Sequence, residues 1–363
     1  MSIVKNHIAI FKCIEEGGQL YFKKTANSKV LVKENNFRHQ DGTEVRLDFK
    51  EYLISSSGNT LYPIVDGIIY ALPELILKRD KITEQVNRSR FKKSIQDFYN
   101  SKGWSKDKDS EVYEDARRYE DLRDVSEEYI SRSRTKIGDY INERGRYLLD
   151  AASGPIQFDE YLAYARNFNQ RICVDISIQA LKEAREKGLN KEIYILGDIC
   201  NLPIRNDKID SVISLNTIYH IPKDKQLKAI QELNRVLMPK GKAVIVYSWG
   251  RNAWLMRAAT LPRVVAKKIK KLGELIFNRS DRVVIEPDIY FYAHKRSFFN
   301  ERNLGFKVDI HSWRLLSVPF MKYYIHDWLG GKYLLQKVRL IEDRFPNFSG
   351  KLSEYPMIFF TKP

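Results

Sequence analysis

The chain has 363 residues, with 62 Lys and Arg against 46 Asp and Glu, for a formal net charge of +16 at neutral pH. Its composition, 43% hydrophobic and 30% charged, is that of a globular protein long enough for two or three domains, each with its own core. Cys13, Cys173 and Cys200 lie far apart, which excludes a disulfide scaffold, and they match no ligand spacing, so no metal site is expected. The start, MSIVKNHIAIFKCIEEGG, has no long apolar core or small-residue cleavage site, and no run of about 18 apolar residues occurs anywhere. A soluble, cytoplasmic chain is expected. The positive surplus points to something anionic: nucleic acid, a nucleotide-activated substrate or a membrane face.

Short alternating runs broken by Gly, Asn and Ser fill the first 75 residues (QLYFKK, KVLVKE, TEVRLDF, EYLISSSGNT) and read as antiparallel strands. In LYPIVDGIIYALPE, Asp66-Gly67 predicts a tight turn. From 78 to 146 the chain carries 18 Lys and Arg and 15 Asp and Glu, with sparse apolar residues at helical spacing. Phe91, Ile95, Phe98 and Tyr99 form an i, i+4, i+7, i+8 stripe, predicting amphipathic helices over the mouth of the next domain. The segment EDARRYEDLRD around Tyr119 reads first as a solvated charged helix, with closure over the cofactor as the alternative.

From Tyr147 onward, apolar runs alternate with helical segments. RYLLDAAS, RICVDIS, EIYILGD, IDSVISLN and KAVIVYSW are the strands, the last following the turn Pro239-Lys240-Gly241. QALKEAREKG and KDKQLKAIQELNRVL are helices, and GFKVDIHSW and YPMIFFTKP complete the sheet. This alternation predicts an α/β fold with a mostly parallel sheet covered on both faces. Segments at about 250–290 and 314–352 interrupt the plan.

In such sheets the ligand sits beyond the carboxyl ends of the strands, so strand-end residues are the informative ones. Asp150, Asp175, Asp198 and Asn216 end four strands, and the three acids read as ligand contacts or, as strand-end acids often are, as helix N-caps and turn formers. An acid at the second strand end suits a ribose diol, because one carboxylate accepts two hydroxyl protons. Gly154, in the turn after the first strand, permits close backbone approach.

The block LLDAASGPIQ, CVDIS, GDICNLP, IDSVISLNTIYHIP, ELNRVLMPKGKAVIVYSW resembles the class I S-adenosylmethionine-dependent methyltransferases over about 100 residues. The resemblance implies a Rossmann-like, seven-stranded, mostly parallel sheet and S-adenosyl-L-methionine as cofactor. It implies that Asp150, Ala152 and Gly154 pass the methionine part, Asp175 and the adjoining Ile176 hold the ribose end, Asp198 and Ile199 meet the adenine, and Asn216 lies near the sulfonium. The family's loop pattern is D-x-G-x-G-x-G. Ala152 and Ile156 replace two of its glycines, and isoleucine resists positive φ, so a different turn into the helix is expected. Tyr219 and His220 follow the fourth strand, where the family places substrate-facing residues; His220 reads equally as a general base or as a helix-capping residue. His294, His311 and His326 read as surface or satisfied histidines.

The N-terminal IFKCIEEGGQL and YLISSSGNTLYPIVDGIIYALPE resemble the zinc-ribbon-like module of Trm112-type methyltransferase activators. Cys13 is retained, but Glu16, Ile54 and Ser57 stand at the other ligand places. One thiolate cannot build a tetrahedral zinc site, so a metal-free relic held by packing is expected, serving for docking or as a lid. The expected division is therefore 1–76, the degenerate module; 77–145, a helical cap; and 146–363, the methyltransferase domain.

Residues 251–282 hold nine Lys and Arg against two acids, with apolar residues interleaved. This basic amphipathic pattern reads as a helical cap over the pocket, as contact with an anionic inner-membrane surface, or as both. The aromatic-rich segments after 285 could wall a pocket, with burial in the core as the default. A sugar or lipid-linked glycan intermediate is the expected acceptor. An RNA methyltransferase and a non-catalytic scaffold are the rivals; the Asn/Asp-Pro-Pro-Tyr-type motif of many base methylases is absent after the fourth strand.

Overall fold

A computed structural model describes residues 3–39, 45–79, 90–106, 112–188, 191–276 and 289–363. Among the described residues, six strands precede residue 80: β1 (Leu20–Lys24), β2 (Phe37–His39), β3 (Glu51–Ser55), β4 (Thr60–Val65), β5 (Ile68–Tyr70) and β6 (Leu77–Arg79). Seven follow: β7 (Gly145–Ala151), β8 (Phe168–Asp175), β9 (Glu192–Leu196), β10 (Ile209–Leu215), β11 (Leu237–Val246), β12 (Asp309–Arg314) and β13 (Tyr355–Thr361). The later seven lie in the order β9-β8-β7-β10-β11-β13-β12, with β7 to β11 parallel and β13 antiparallel to both its neighbours. The central strands are apolar without alternation because helices cover both faces. Helices Ile178–Lys187 and Gln226–Val236 take the predicted positions.

The N-terminal strands form antiparallel pairs, as their patterning predicts. Asp66 and Gly67 both adopt positive φ, 50° and 76°, and close the β4–β5 hairpin. Pro239-Lys240-Gly241 is a bulge within β11: the register against β10 jumps from Ile209↔Leu237 to Ser211↔Lys242, and Lys240 has φ 65°.

The expected boundary at residue 76 is not a break in the structure. β6 pairs with β2 and β4, and β5 pairs in parallel with β9 through Ile68↔Tyr194, Ile69↔Ile195 and Tyr70↔Leu196. One 13-stranded sheet therefore runs through both parts. Phe11 and Leu20 share a buried cluster with Val174 and Ile195. Packing alone does not hold the two turns of the N-terminal part together. The Glu16 carboxylate accepts from Ser55 Oγ at 3.2 Å, Ser57 Oγ at 2.6 Å and Thr60 Oγ1 at 2.8 Å. Tyr62 donates to Cys13 Sγ at 3.3 Å and accepts from the Ile14 N–H.

Candidate cofactor and acceptor cavity

Strand order reverses between β7 and β10, and a cavity of about 830 Å³ opens beyond their carboxyl ends. That is within the range of small-molecule and cofactor sites. Asp150, Ala152, Gly154, Asp175 and Ile176 line its β7–β8 side, and Asn216, Tyr219 and His220 its β10 side. Asp198 and Ile199 are not among its lining residues. Asp198 Oδ1 accepts the Cys200 N–H at 2.9 Å and so braces its own turn.

The loop after β7 corrects one expectation. Ala152, Gly154 and Ile156 all adopt left-handed conformations, at φ 62°, 56° and 51°, so the backbone passes through positive φ at each family glycine position. A β-branched residue at positive φ is strained. Ile156 is 1% exposed and packs with Leu181, Ala184 and Leu72, and that burial holds it in place. Asp175 fastens the loop: its two oxygens accept the Gly154 N–H at 2.9 Å and the Ser177 N–H at 2.8 Å. Burial pushes its carboxyl up to about 6, against the opposing effect of these backbone donors.

Asp150 does more than line the cavity. Arg171, on β8 and 1% exposed, bonds its carboxylate through both Nε and Nη2 and donates to the Tyr161 carbonyl at 2.8 Å. Burial opposes the Arg171 charge, and Asp150 outweighs it and holds the guanidinium pKa high. A lone Arg in the apolar run RICVD was the sequence signal for this pair.

Asn216 has φ 56°, which asparagine tolerates better than most residues, and its Oδ1 is buried with no hydrogen-bond partner among the described residues. His220 Nδ1 lies 2.9 Å from the Tyr290 carbonyl, which can only accept, so Nδ1 carries the proton and Nε2 is the acceptor. Burial pushes the His220 pKa down to about 4. Tyr219 is buried, edge-on to Tyr247, with its hydroxyl pKa held far up by burial.

The segment after residue 90 covers this floor. Helix Arg90–Phe98 runs into a π-helical turn, Tyr99–Gly103, so the predicted stripe ends in a widened turn at Tyr99. The side chain of Phe91 lies outside the described residues. Trp104, stacked on Tyr99, sits against Gly154, and its Nε1 is buried without a partner among the described residues. Helix Glu114–Tyr119 is not the solvated helix expected: Asp115, Arg118, Tyr119 and Glu120 line the cavity. Its burial depends on a partner distant in sequence, Arg314 on β12, whose Nη1 bonds Glu120 at 2.7 Å. Burial, with Glu120 nearby, raises the Asp115 pKa to about 7; burial raises Glu354 likewise, against the Ser248 hydroxyl bonded to it at 3.2 Å. None of the described residues before Ile95 lines the cavity, so the lid is built from these helices and not from the N-terminal module.

The basic segment forms helix Trp254–Ile276, which lends Met256, Arg257, Thr260, Arg263 and Val264 to the wall. Its cap role is therefore structural; residues 277–282 lie outside the described residues. Of the aromatic segments, Phe291 joins the wall, whereas Trp328 and Tyr333 are 80% and 64% exposed. His294 stacks on Phe298, His311 meets the Tyr140 hydroxyl and His326 the Tyr323 carbonyl, and none of the three lines the cavity.

A Rossmann-like sheet with a switch-point cavity, a left-handed loop and a strand-end acid defines the class I methyltransferase architecture. Residues 149–245 match the family described as a methyltransferase domain. An uncharacterised protein of Methanocaldococcus jannaschii is 31% identical over 105 residues, 29% of this chain and 42% of that one. The human protein named probable tRNA methyltransferase 9B is 40% identical over 67 residues, 18% of this chain and 14% of that one. The chain thus spans less than half the length of either relative. Among solved structures, magnesium protoporphyrin IX methyltransferase of Synechocystis PCC 6803 with bound S-adenosylmethionine aligns at 14% identity and TM-score 0.44, over 77% of this chain and 100% of that one. A complex containing the Trm112 methyltransferase activator of Haloferax volcanii aligns at 14% identity and TM-score 0.42, over 66% of this chain and 92% of that one.

Proposed function

We propose that the protein transfers the methyl group of S-adenosylmethionine to an oxygen or nitrogen nucleophile of a sugar or lipid-linked glycan intermediate, releasing S-adenosylhomocysteine. The observation that carries the reading is the loop Ala152–Ile156: it keeps three left-handed residues, two of them not glycine, beside a buried acid. Strain of this kind persists where function constrains the backbone. The residues fit the cofactor. Asp175 would accept the ribose hydroxyls, with Ile176 alongside, and the orphaned Asn216 Oδ1 and Trp104 Nε1 are buried polar atoms in residues that line the cavity.

When bound, S-adenosylmethionine supplies an electrophilic methyl group on a sulfonium. The chain's own task is alignment, which by itself accounts for much of the barrier reduction in a displacement. His220 Nε2 is the protein acceptor for a proton leaving the nucleophile; at a pKa of about 4 it is a weak base, so positioning carries more of the rate than proton removal does. Tyr219 and Phe291, ring centroids 5.0 Å apart, form an aromatic wall suited to a sugar face.

The domain scheme is part of the proposal: a relic module that docks against the sheet edge, a helical cap and a catalytic domain. So is a cytoplasmic location at an inner-membrane face. No helix among the described residues is long and apolar enough to cross a membrane. Leu261, Val265 and Ile269 recur at i, i+4, i+8 on the basic helix and are exposed, as a surface-lying helix requires.

Calorimetric titration with S-adenosylmethionine tests the core reading: micromolar binding, weakened at least tenfold in Asp175→Ala, is expected. No heat at high micromolar cofactor would leave the scaffold rival standing. The second reading, RNA methylation, draws on the stretch shared with the human tRNA methyltransferase relative. Label transfer from methyl-tritiated cofactor to sugar nucleotides, lipid-linked glycans and tRNA decides between them, and tRNA affinity falling steeply with salt would favour RNA.

A further inference from the structure

The cavity holds charges of both signs. Carboxylates of Asp150, Asp175 and Glu354 lie at strand ends or beside them, and those of Asp115 and Glu120 belong to the lid segment. The cations on its wall are of two kinds. Arg314 and Arg118 are committed to Glu120 and Glu114, at 2.7 and 2.6 Å. Arg257, Arg263 and Lys322 make no ion pair among the described residues.

These three come from the two segments that interrupt the α/β plan. Arg257 and Arg263 lie on helix Trp254–Ile276 and Lys322 on helix Val318–Tyr324. The helices are joined where Tyr324 donates to the Ala259 carbonyl at 2.8 Å. Both guanidiniums are already oriented. Arg263 Nη1 donates to the Pro319 carbonyl at 3.2 Å, and its plane lies over Tyr323, 5.5 Å from the ring centroid. Arg257 Nη1 donates to the Arg251 carbonyl at 3.0 Å. A guanidinium has five N–H donors, so each keeps further donors for an oxyanion.

We propose that Arg257, Arg263 and Lys322 form a subsite for a phosphate or diphosphate group on the methyl acceptor. The acceptor would enter anion-outward, its nucleophile reaching the acidic, aromatic floor. This deepens the methyltransferase reading and rests on it. The two arginines are six residues apart, about 9 Å along a helix axis, and both line the same cavity as Lys322.

The test uses the full chain at low ionic strength, with calorimetry against inorganic pyrophosphate and UDP-glucose and flotation with neutral phosphatidylcholine vesicles containing a polyprenyl diphosphate. Pyrophosphate should bind, weaken with added salt, and weaken at least about tenfold in Arg257→Gln/Arg263→Gln, with Lys322→Gln smaller in effect. Cofactor affinity should stay within about twofold in the same variants, which also shows that they fold. Stronger binding of UDP-glucose assigns a soluble acceptor, and arginine-dependent vesicle binding a lipid-linked one; both uphold the shared chemistry. Equal pyrophosphate affinity in wild type and double variant overturns the subsite, as does tRNA binding that needs these arginines and that pyrophosphate fails to displace. Loss of cofactor binding by the wild type, with arginine-dependent pyrophosphate binding intact, strikes the methyltransferase reading and leaves the anion subsite standing.

Discussion

Trp104 lies directly against Gly154: a Cβ added at Gly154 would come within 3.1 Å of indole Cη2 and Cζ2. The ring also stacks on Tyr99 at 5.0 Å and meets Tyr113 edge-on. The proposed cofactor loop is thus in contact with the π-helical turn above it. Cofactor entry should shift the Trp104 emission, and Trp104→Phe should abolish that change. Gly154→Ala, at φ 56°, should cost about 1–2 kcal/mol of stability and weaken the cofactor at least tenfold. Unaltered cofactor affinity in Gly154→Ala would remove this loop from the site.

Asp175 predicts a pH dependence. Burial raises its carboxyl from the usual 3.8 to about 6, so between these values the folded chain holds more protons than the unfolded one. Its contribution to stability is therefore lost as pH rises from about 4 through 6, reaching a cost of about 3 kcal/mol at neutrality. Asp175→Asn should flatten that part of the stability profile in urea titrations between pH 4 and 7. Cofactor binding should move the other way, weakening below pH 6 as the ribose acceptor becomes protonated.

The buried Asp150–Arg171 pair predicts strong non-additivity. Removing either partner leaves an uncompensated charge, at about 3–5 kcal/mol. Asp150→Leu and Arg171→Met should each destabilise by that order, and the double variant by much less than their sum. Additive losses in denaturant unfolding would show that the two side chains act independently.

Two residues of one loop should answer a glycine in opposite directions. Ala152 is only half-buried at φ 62°, so Ala152→Gly relieves strain and should stabilise by about 0.5–1 kcal/mol. Ile156 has the same handedness but a fully buried side chain, so the cavity left by Ile156→Gly should outweigh the relief and destabilise by about 2 kcal/mol or more. Thermal melts of the two variants check both signs.

Much of the sheet was legible because apolar runs, strand-end acids and the Asp66-Gly67 turn are local signals. Asp150, Asp175 and Asn216 stand at the cavity for that reason. What stayed hidden depends on partners far along the chain. Glu120 and Arg314 are 194 residues apart, and without its partner Glu120 reads as one more solvated acid. Lining of the cavity by Glu354 depends on β13 threading between β11 and β12, which no local pattern announces. Asp198 shows the converse: position in a motif suggested a ligand contact, and its oxygen braces the Cys200 turn.

The parallel seam of β5 with β9 has a consequence for how the molecule comes apart. Deleting residues 1–79 would uncover β9 as an open edge, a row of unpaired main-chain groups of the kind that recruits other chains. The seam joins backbone to backbone, and Ile68, Ile69 and Tyr70 also bury their side chains in the core, so truncation would both open the β9 edge and expose apolar surface prone to aggregation. The part that resembles a detachable accessory thus behaves as a built-in edge guard, one whose covalent tether keeps the local concentration of the guarding strand high however dilute the protein.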